Sequence, residues 1–162
     1  MREKNWVSLP NSASFIRDIN DFFSLVATGS CACPGIVGAT VGGGVGRLQG
    51  LHGLIIDNLV SVVLVTARGD LLTASETENS DLFWGIRGAG ASFGIILWAT
   101  YTIHDQTNGG YALNADFVFP ANVSKEHWNI LKEISANIPA ELALITDINY
   151  NTNHGGVRIP IL

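Results

Sequence analysis

Basic side chains and long apolar runs are both scarce in this sequence. Lys and Arg together number 9 against 14 Asp and Glu, and the charged fraction of 14% lies well below the roughly 25% of an average soluble domain. Because Lys and Arg form no cluster, a nucleic-acid backbone is not expected as a partner. The best apolar run, residues 94–103, is shorter than the ~18 residues of a membrane span, and its composition predicts a strand.

The first residues lack the apolar core and small-residue cleavage site of a signal peptide. The sequence therefore predicts neither a secretory leader nor a membrane segment, and it leaves compartment and oligomeric state open. An apolar fraction of 47% over 162 residues indicates either a chain that buries much of its surface or a piece of a larger protein.

Common nucleotide-binding and catalytic patterns are absent. The dinucleotide pattern G-x-G-x-x-G fails at Gly42, where the last position is Arg47, and at Gly88, where it is Phe93. There is no P-loop, no G-x-S-x-G serine elbow and no carboxylate pair suited to acid–base work. A nicotinamide-dependent reductase is therefore disfavoured.

Metal-binding patterns are absent as well. Cys31 and Cys33 are too close in sequence for an easy disulfide, and no nearby ligand completes a zinc site. From the residues alone they are two small buried hydrophobes. The histidines are scattered and are expected on the surface or on helix faces: His52, His104, His127 and His154.

Periodicity and turn residues predict mixed helices and strands. A short helix suits residues 14–25, and the β-branched run 60–66 followed by "ARGD" and residues 71–74 predicts a hairpin. A helix is expected to begin near Asp81. Ser80 is expected to cap this helix, and Gly88 and Gly90 are expected to end it. Trp84, and Trp98 in the following strand, are expected in the core.

The composition breaks at residues 106–110, "QTNGG", which predicts a domain boundary. Beyond it, strands are expected over residues 111–119 and 142–148, with a helix over 124–137 between them. That helix carries an apolar stripe at three-residue spacing, formed by Trp128, Leu131 and Ile134. The chain ends on a β-like run, "VRIPIL".

Glycine is concentrated between Cys31 and Asn58. Each glycine adds unfolded-state entropy that folding must overcome, so something flat or charged is expected to approach this backbone. Asp57 and Asn58 stand among apolar residues in the same stretch. Their pattern favours a turn cap, and the alternative is that they support a cofactor loop.

Several motifs occur in order between Gly29 and Asp105: C-x-C before a glycine-rich turn, "GGGVGRLQGLHGL", "DN" before a strand, "TASETENSDLFWGIRGAG" and "FGII". As a set they resemble the FAD-linked oxidoreductases of the berberine-bridge-enzyme-like type, in the vanillyl-alcohol-oxidase superfamily with its PCMH-type FAD-binding domain. The sequence of the stretch "GRLQGLHGL" resembles that of fungal members. Residues from about 111 onward are similar to the start of the family's substrate domain.

The resemblance implies an α+β fold. Residues 28–106 would form the second half of a PCMH-type FAD-binding domain, and residues 111–162 the start of an antiparallel-sheet substrate domain, with residues 1–27 unassigned. No R-x-G-G-H-type loop, which the family uses to bind the pyrophosphate, is found in residues 1–30. The chain thus resembles a truncated member, a fragment of a flavoprotein.

The resemblance also implies the cofactor and its contacts. FAD would lie against Gly35, Gly38, Gly42, Gly43, Gly44 and Gly46. Its adenosine half would lie near Gly94, Ile95 and Ile96. Cys31 matches the residue that bonds to C6 of the flavin in bicovalent members, whereas other relatives hold the flavin by one covalent bond or none.

The implied reaction is oxidation of a small organic substrate, of the kind found in secondary metabolism, by hydride transfer to flavin N5, with reoxidation by oxygen. No catalytic side chain is identified. The alternative is an inactive fragment that does not bind FAD on its own, because the pyrophosphate charges would lack part of their compensation.

Overall fold

A computed structural model describes residues 6–10, 29, 34–105, 117–146, 149–151 and 156–161 and the single positions 111, 113 and 115. The chain divides into two compact units, Met1–Tyr111 and Ala112–Leu162. Cys31, Cys33, His154, the expected helix over 14–25 and the break at 106–110 lie outside the described residues. The assignment of the units to the two expected domains stays a prediction.

The first unit contains a four-stranded antiparallel sheet. Its strands are β1 (Trp6–Pro10), β2 (Leu59–Val65), β3 (Leu71–Ser75) and β4 (Ile95–Thr102), in the order β1-β4-β2-β3. The β-branched run favours a strand because its side chains pack well on a pleated surface. The predicted hairpin and the predicted strand near residues 94–103 are confirmed. The Thr66 hydroxyl accepts hydrogen bonds from the amides of Arg68 and Asp70, both at 3.3 Å, and so shapes the hairpin turn.

The core of this unit lies between the sheet and the helices α1 (Ile36–Val41) and α3 (Ser80–Ala89). A short helix, α2 (Gln49–His52), contributes no buried residue. The fully or nearly buried apolar residues include Val37, Ile55, Val62, Leu64, Phe83, Ile86, Ile96 and Tyr101. Register shifts occur between Leu59 and Ser61 and between Val63 and Leu64, so strict alternation does not hold along β4.

Helix α3 corrects one predicted boundary. Ser80 is the first helical residue, and the cap position is Asn79, in the left-handed region at φ 48° and ψ 48°. The Asn79 side chain donates to the carbonyl of Thr73 at 2.7 Å and makes no capping bond to the helix. The predicted end is confirmed, because Arg87 and Gly88 depart from helical backbone angles, with Gly88 at φ 130°.

The second unit holds a three-stranded antiparallel sheet and one long helix. Strands β5 (Phe117–Pro120), β6 (Asn149–Asn151) and β7 (Gly156–Ile161) pair in the order β5-β7-β6, and α4 spans Ser124–Ser135. The predicted helix is confirmed but ends earlier. The strand expected over 111–119 is confirmed for residues 117–119, whereas the described residues 111, 113 and 115 are not in a strand. The one expected over 142–148 is wrong for residues 142–145, which form no strand.

The aromatic core predictions are wrong. Trp84 is 81% exposed and Trp98 46%. In α4 the expected stripe is partly exposed, with Trp128 at 44% and Ile134 at 40%, whereas His127 is the buried residue at 7%. His127 packs between Phe119 and Trp128, at ring-centroid distances of 5.9 and 5.2 Å. Among the described helices none is long and apolar enough to cross a bilayer.

Candidate functional site

The glycine-rich segment forms a turn between α1 and α2, which we call the glycine turn (Gly42–Gly44). The turn is tied to a 3₁₀ turn at Ile55–Asn58. The amide of Ile55 donates to the Gly44 carbonyl at 2.9 Å, and the amide of Ile56 donates to the Gly43 carbonyl at 3.0 Å. These two bonds fix the outgoing chain against the turn.

Gly44 is required by the packing of the chain itself. Its φ is +75°, and a Cβ added there would lie 2.7 Å from the Cβ of Ile55. Gly94, at φ +155°, is required in the same way, because an added Cβ would collide with the carbonyl oxygen of Val65. Side chains are excluded at both positions because L-residues rarely adopt this backbone.

Gly35 and Gly38 have no such explanation. Gly35 has ordinary extended angles, φ −67° and ψ 146°, and Gly38 lies inside α1. Among the described residues no atom lies within 4 Å of a Cβ added at either position. A glycine inside a helix costs up to ~1 kcal/mol relative to alanine. The described part of the fold therefore does not account for glycine here, and no described atom fills the space in front of this backbone.

The remaining predicted glycines fall between these extremes. Gly42 has φ −97°, with the Ala39 carbonyl oxygen 3.8 Å from an added Cβ. Gly43 has φ +111°, and no described atom lies within 4 Å of a Cβ added there. Gly46 is buried and forms an isolated antiparallel bridge with Gly29.

Ile95 and Ile96, predicted to lie near the adenosine, differ in exposure. Ile95 is 68% exposed, whereas Ile96 is 5% exposed and belongs to the core. Of the predicted segment 94–96, only Ile95 therefore presents its side chain to solvent. Contact of this segment with a cofactor stays a prediction.

Asp57 and Asn58 cap the turn, as their pattern favoured. The Asp57 carboxylate accepts from the amide of Leu54 at 2.9 Å and lies 3.6 Å from the guanidinium of Arg87. The Asn58 amide donates to the carbonyls of His52 and Leu54, at 3.0 and 2.9 Å. Both residues hold the chain that is bonded to the glycine turn, and their support of a cofactor loop stays a prediction.

Two histidines meet beside Asn58, and the sequence did not predict this. The rings of His52 and His104 stack at a centroid distance of 3.7 Å and an interplanar angle of 5°. His104 Nε2 is hydrogen-bonded to Asn58 Oδ1, and His52 Nε2 is buried without a partner among the described residues. Burial lowers the pKa of His104, the nearby His52 lowers it further, and Asp105 opposes the shift. No sequence motif could have signalled the contact between Asn58 and His104, which are 46 residues apart.

A buried hydroxyl pair joins α1 to the sheet. Thr40 donates to the Ile36 carbonyl at 2.7 Å and lies 2.8 Å from the Tyr101 hydroxyl. Burial raises the pKa of Tyr101 to about 12, although the bond to Thr40 opposes the shift. The helix that carries Gly38 is thereby anchored to β4. In the described part of the chain, no group of three or more His, Cys, Asp or Glu is placed to bind a metal.

Comparison with known proteins gives consistent relatives. The chain is 54% identical over 124 residues to the FAD-linked oxidoreductase azaL of Aspergillus niger, covering 76% of this chain and 26% of the relative. It is 50% identical over 116 residues to tazG of Aspergillus terreus, also an FAD-linked oxidoreductase, covering 72% of the chain and 24% of the relative. The chain thus spans about a quarter of the length of these curated relatives. No protein-family profile matches it.

Solved structures share the fold. The BBE-like 1 protein of Physcomitrella patens superposes with a TM-score of 0.78 at 25% identity, over 99% of this chain and 35% of that one. The 6-hydroxy-D-nicotine oxidase of Arthrobacter nicotinovorans gives 0.73 at 25% identity, over 96% and 35%. The carbohydrate oxidase of Microdochium nivale, solved with a substrate analogue, gives 0.68 at 26%, over 99% and 34%. The expected α+β fold is thereby confirmed.

Proposed function

Because the chain belongs to the FAD-linked oxidoreductases of the berberine-bridge-enzyme-like type, we propose that it forms part of an FAD site and that the open glycines lie against the cofactor. The corresponding whole enzyme would oxidise a small organic substrate, of the kind found in secondary metabolism. FAD held there would supply two-electron redox chemistry, as the acceptor of a hydride from the substrate and the donor of electrons to oxygen.

The unfilled space at Gly35 and Gly38 is the observation that carries this proposal. Added Cβ atoms there meet nothing among the described residues, which leaves room for a flat ligand to lie directly against this main chain. The residues present therefore fit a group that contacts main chain. The low count of 9 basic residues also disfavours a polyanionic substrate.

The contribution of this chain is to bind and orient. Gly35, Gly38 and Gly43 would present main-chain groups, and the hydrogen-bonded 3₁₀ turn would keep Gly43 and Gly44 in place. We assign no catalytic acid or base. No described side chain near the glycine turn makes a contact that calls for proton transfer.

Substitution of the open glycines tests the proposal. Gly38→Ala replaces a poor helix former without a clash, so the chain without FAD should gain up to ~1 kcal/mol of stability. The same substitution should lower flavin uptake about tenfold or more, measured by absorbance after incubation with FAD and gel filtration. Loss of flavin from a more stable protein could not be ascribed to misfolding.

Gly44→Ala serves as the matched contrast, since it should reduce stability and flavin uptake together. Flavin uptake by Gly38→Ala equal to that of the unsubstituted chain would contradict the proposed contact. If the unsubstituted chain takes up no FAD at all, the alternative of an inactive fragment is correct.

Cys31 gives a second, chemical test of the cofactor. We propose that its thiol can add to C6 of the flavin to form a thioether, as the matching residue does in bicovalent relatives. The hydrogens of the thiol and of C6 would leave as protons, and the two electrons would reduce the flavin, which oxygen would reoxidise. Acid precipitation should then leave yellow colour with the protein, and Cys31→Ala should abolish it while Cys33→Ala should not. Colour that stays in the supernatant in all three proteins would show that the flavin is not covalently held.

A further inference from the structure

Three polar side chains from separate elements form one cluster beside the glycine turn. His52 ends α2, Asn58 ends the 3₁₀ turn and His104 follows β4. The Asn58 amide bonds to two backbone carbonyls and to His104, and His104 stacks on His52. We call these three residues the histidine brace.

The hydrogen bonds determine which atom of the Asn58 amide faces His104. Both hydrogens of the Asn58 amide are used by the carbonyls of His52 and Leu54, so Oδ1 is the atom facing His104. His104 Nε2 must then carry a hydrogen, and in the neutral ring its Nδ1 has none. A second proton, on Nδ1, would place a positive charge on the His104 ring that stacks on His52.

The brace spans the residues that hold the glycine turn. His52 precedes and Asn58 follows the two amides, of Ile55 and Ile56, that bond to the Gly44 and Gly43 carbonyls. Movement of either end of the brace would therefore strain both bonds to the turn.

We propose that His52, Asn58 and His104 are positioning residues that hold the glycine turn in its cofactor-binding form, and that proton uptake by His104 loosens this hold. The cofactor part of this statement rests on the proposed FAD site. The groups acting on His104 are His52 from α2 and Asp105 from the segment after β4. Asp57, the acidic residue of the 3₁₀ turn, is held by Arg87 and the amide of Leu54.

Hydrogen exchange at the Ile55 and Ile56 amides measures the stability of their hydrogen bonds to the glycine turn, and it needs no flavin. In the full 162-residue chain, the protection factors, which correct for intrinsic pH effects, should fall between pH 8 and pH 5. His104→Ala should lower them about tenfold already at pH 8, the effect of losing one net hydrogen bond. His104→Gln retains an N–H donor but does not titrate, so it should keep protection at pH 8 and lose the acid sensitivity.

His127→Gln is the matched control. His127 is also buried, and its Nε2 has no partner among the described residues, but it lies in the second unit, where its ring contacts Phe119 and Trp128. It should leave the Ile55 and Ile56 protection factors and their pH dependence unchanged.

Two results would overturn the proposal: equal protection at pH 8 and pH 5 in the unsubstituted chain, or acid sensitivity that persists in His104→Gln. If His104→Ala does not fold, the comparison with His104→Gln decides alone. Flavin fluorescence released at pH 5 is recorded in parallel. Absence of FAD binding at pH 8 would refute the proposed function. The exchange data would still test whether His52, Asn58 and His104 stabilise the glycine turn.

Discussion

The two compact units differ in how their side chains are buried. In the first unit, apolar residues from the sheet, α1, α3 and the 3₁₀ turn form one buried cluster. In the second, His127 is the one buried residue among the described side chains, and Phe117, Trp128 and Ile134 are 54%, 44% and 40% exposed. Because stability comes chiefly from removing apolar area from water, substitutions in the first unit should have the larger effects.

The sharpest way to test this difference is to truncate matched aromatic residues. Phe83 is 3% exposed and belongs to the core, so Phe83→Ala should cost ~3–5 kcal/mol of unfolding free energy. Phe117→Ala, in the second unit, should cost less than ~1 kcal/mol. Urea denaturation followed by circular dichroism measures both, and equal costs would remove the distinction between the units.

Within the first unit, Gly44→Ala should destabilise by ~1–3 kcal/mol, because the new side chain adopts φ +75° against Ile55. Gly38→Ala is expected to have the opposite sign. Thermal unfolding without flavin measures both variants. A neutral Gly44→Ala would mean that Ile55 moves aside and that this glycine, too, is not required by the fold.

The Thr40–Tyr101 pair should matter less at neutral pH. Tyr101→Phe should cost ~1 kcal/mol, the net value of one buried hydrogen bond. Its pH dependence is more diagnostic. With the folded pKa raised to about 12 above an unfolded value of ~10, the unfolded chain loses its proton first, so stability should fall as pH rises from 10 to 12. Tyr101→Phe should remove this alkaline loss in denaturation measured across that range.

The smallest expected effect is at acidic pH. Because the pKa of His104 is lowered, the unfolded chain takes up the proton more readily as pH falls below ~6.5, and stability should decrease there. His104→Gln should flatten this part of the stability curve. A curve as steep as that of the unsubstituted chain would assign the acid loss to other groups.

The sequence predicted features whose causes are local. Val60 to Thr66 and the "ARGD" turn specify a hairpin by composition alone, and Gly88 ends α3 by its backbone freedom. Exposure was harder to predict. Trp84 and Trp98 are apolar and were expected in the core, but register shifts in β2 and β4 and the narrow buried face of α3 decide which residues are covered.

The same distinction applies to the candidate site. The glycine-rich turn could be found from its letters, but not which glycines are crowded and which are open, since Ile55 and Val65 fill the space at Gly44 and Gly94 only in three dimensions. The stack of His52 on His104 depends on β4 returning to the 3₁₀ turn, and no local pattern encodes it.

The strand order β1-β4-β2-β3 has a consequence for how the chain reaches this structure. The β2–β3 hairpin is local and should close within microseconds. Strand β1 must wait for β4, since Trp6 pairs with Thr102, and closing so long a loop is slow. During synthesis β1 therefore stays without this partner until residue 102 has left the ribosome, which leaves the edge of Trp6–Pro10 open to misassociation.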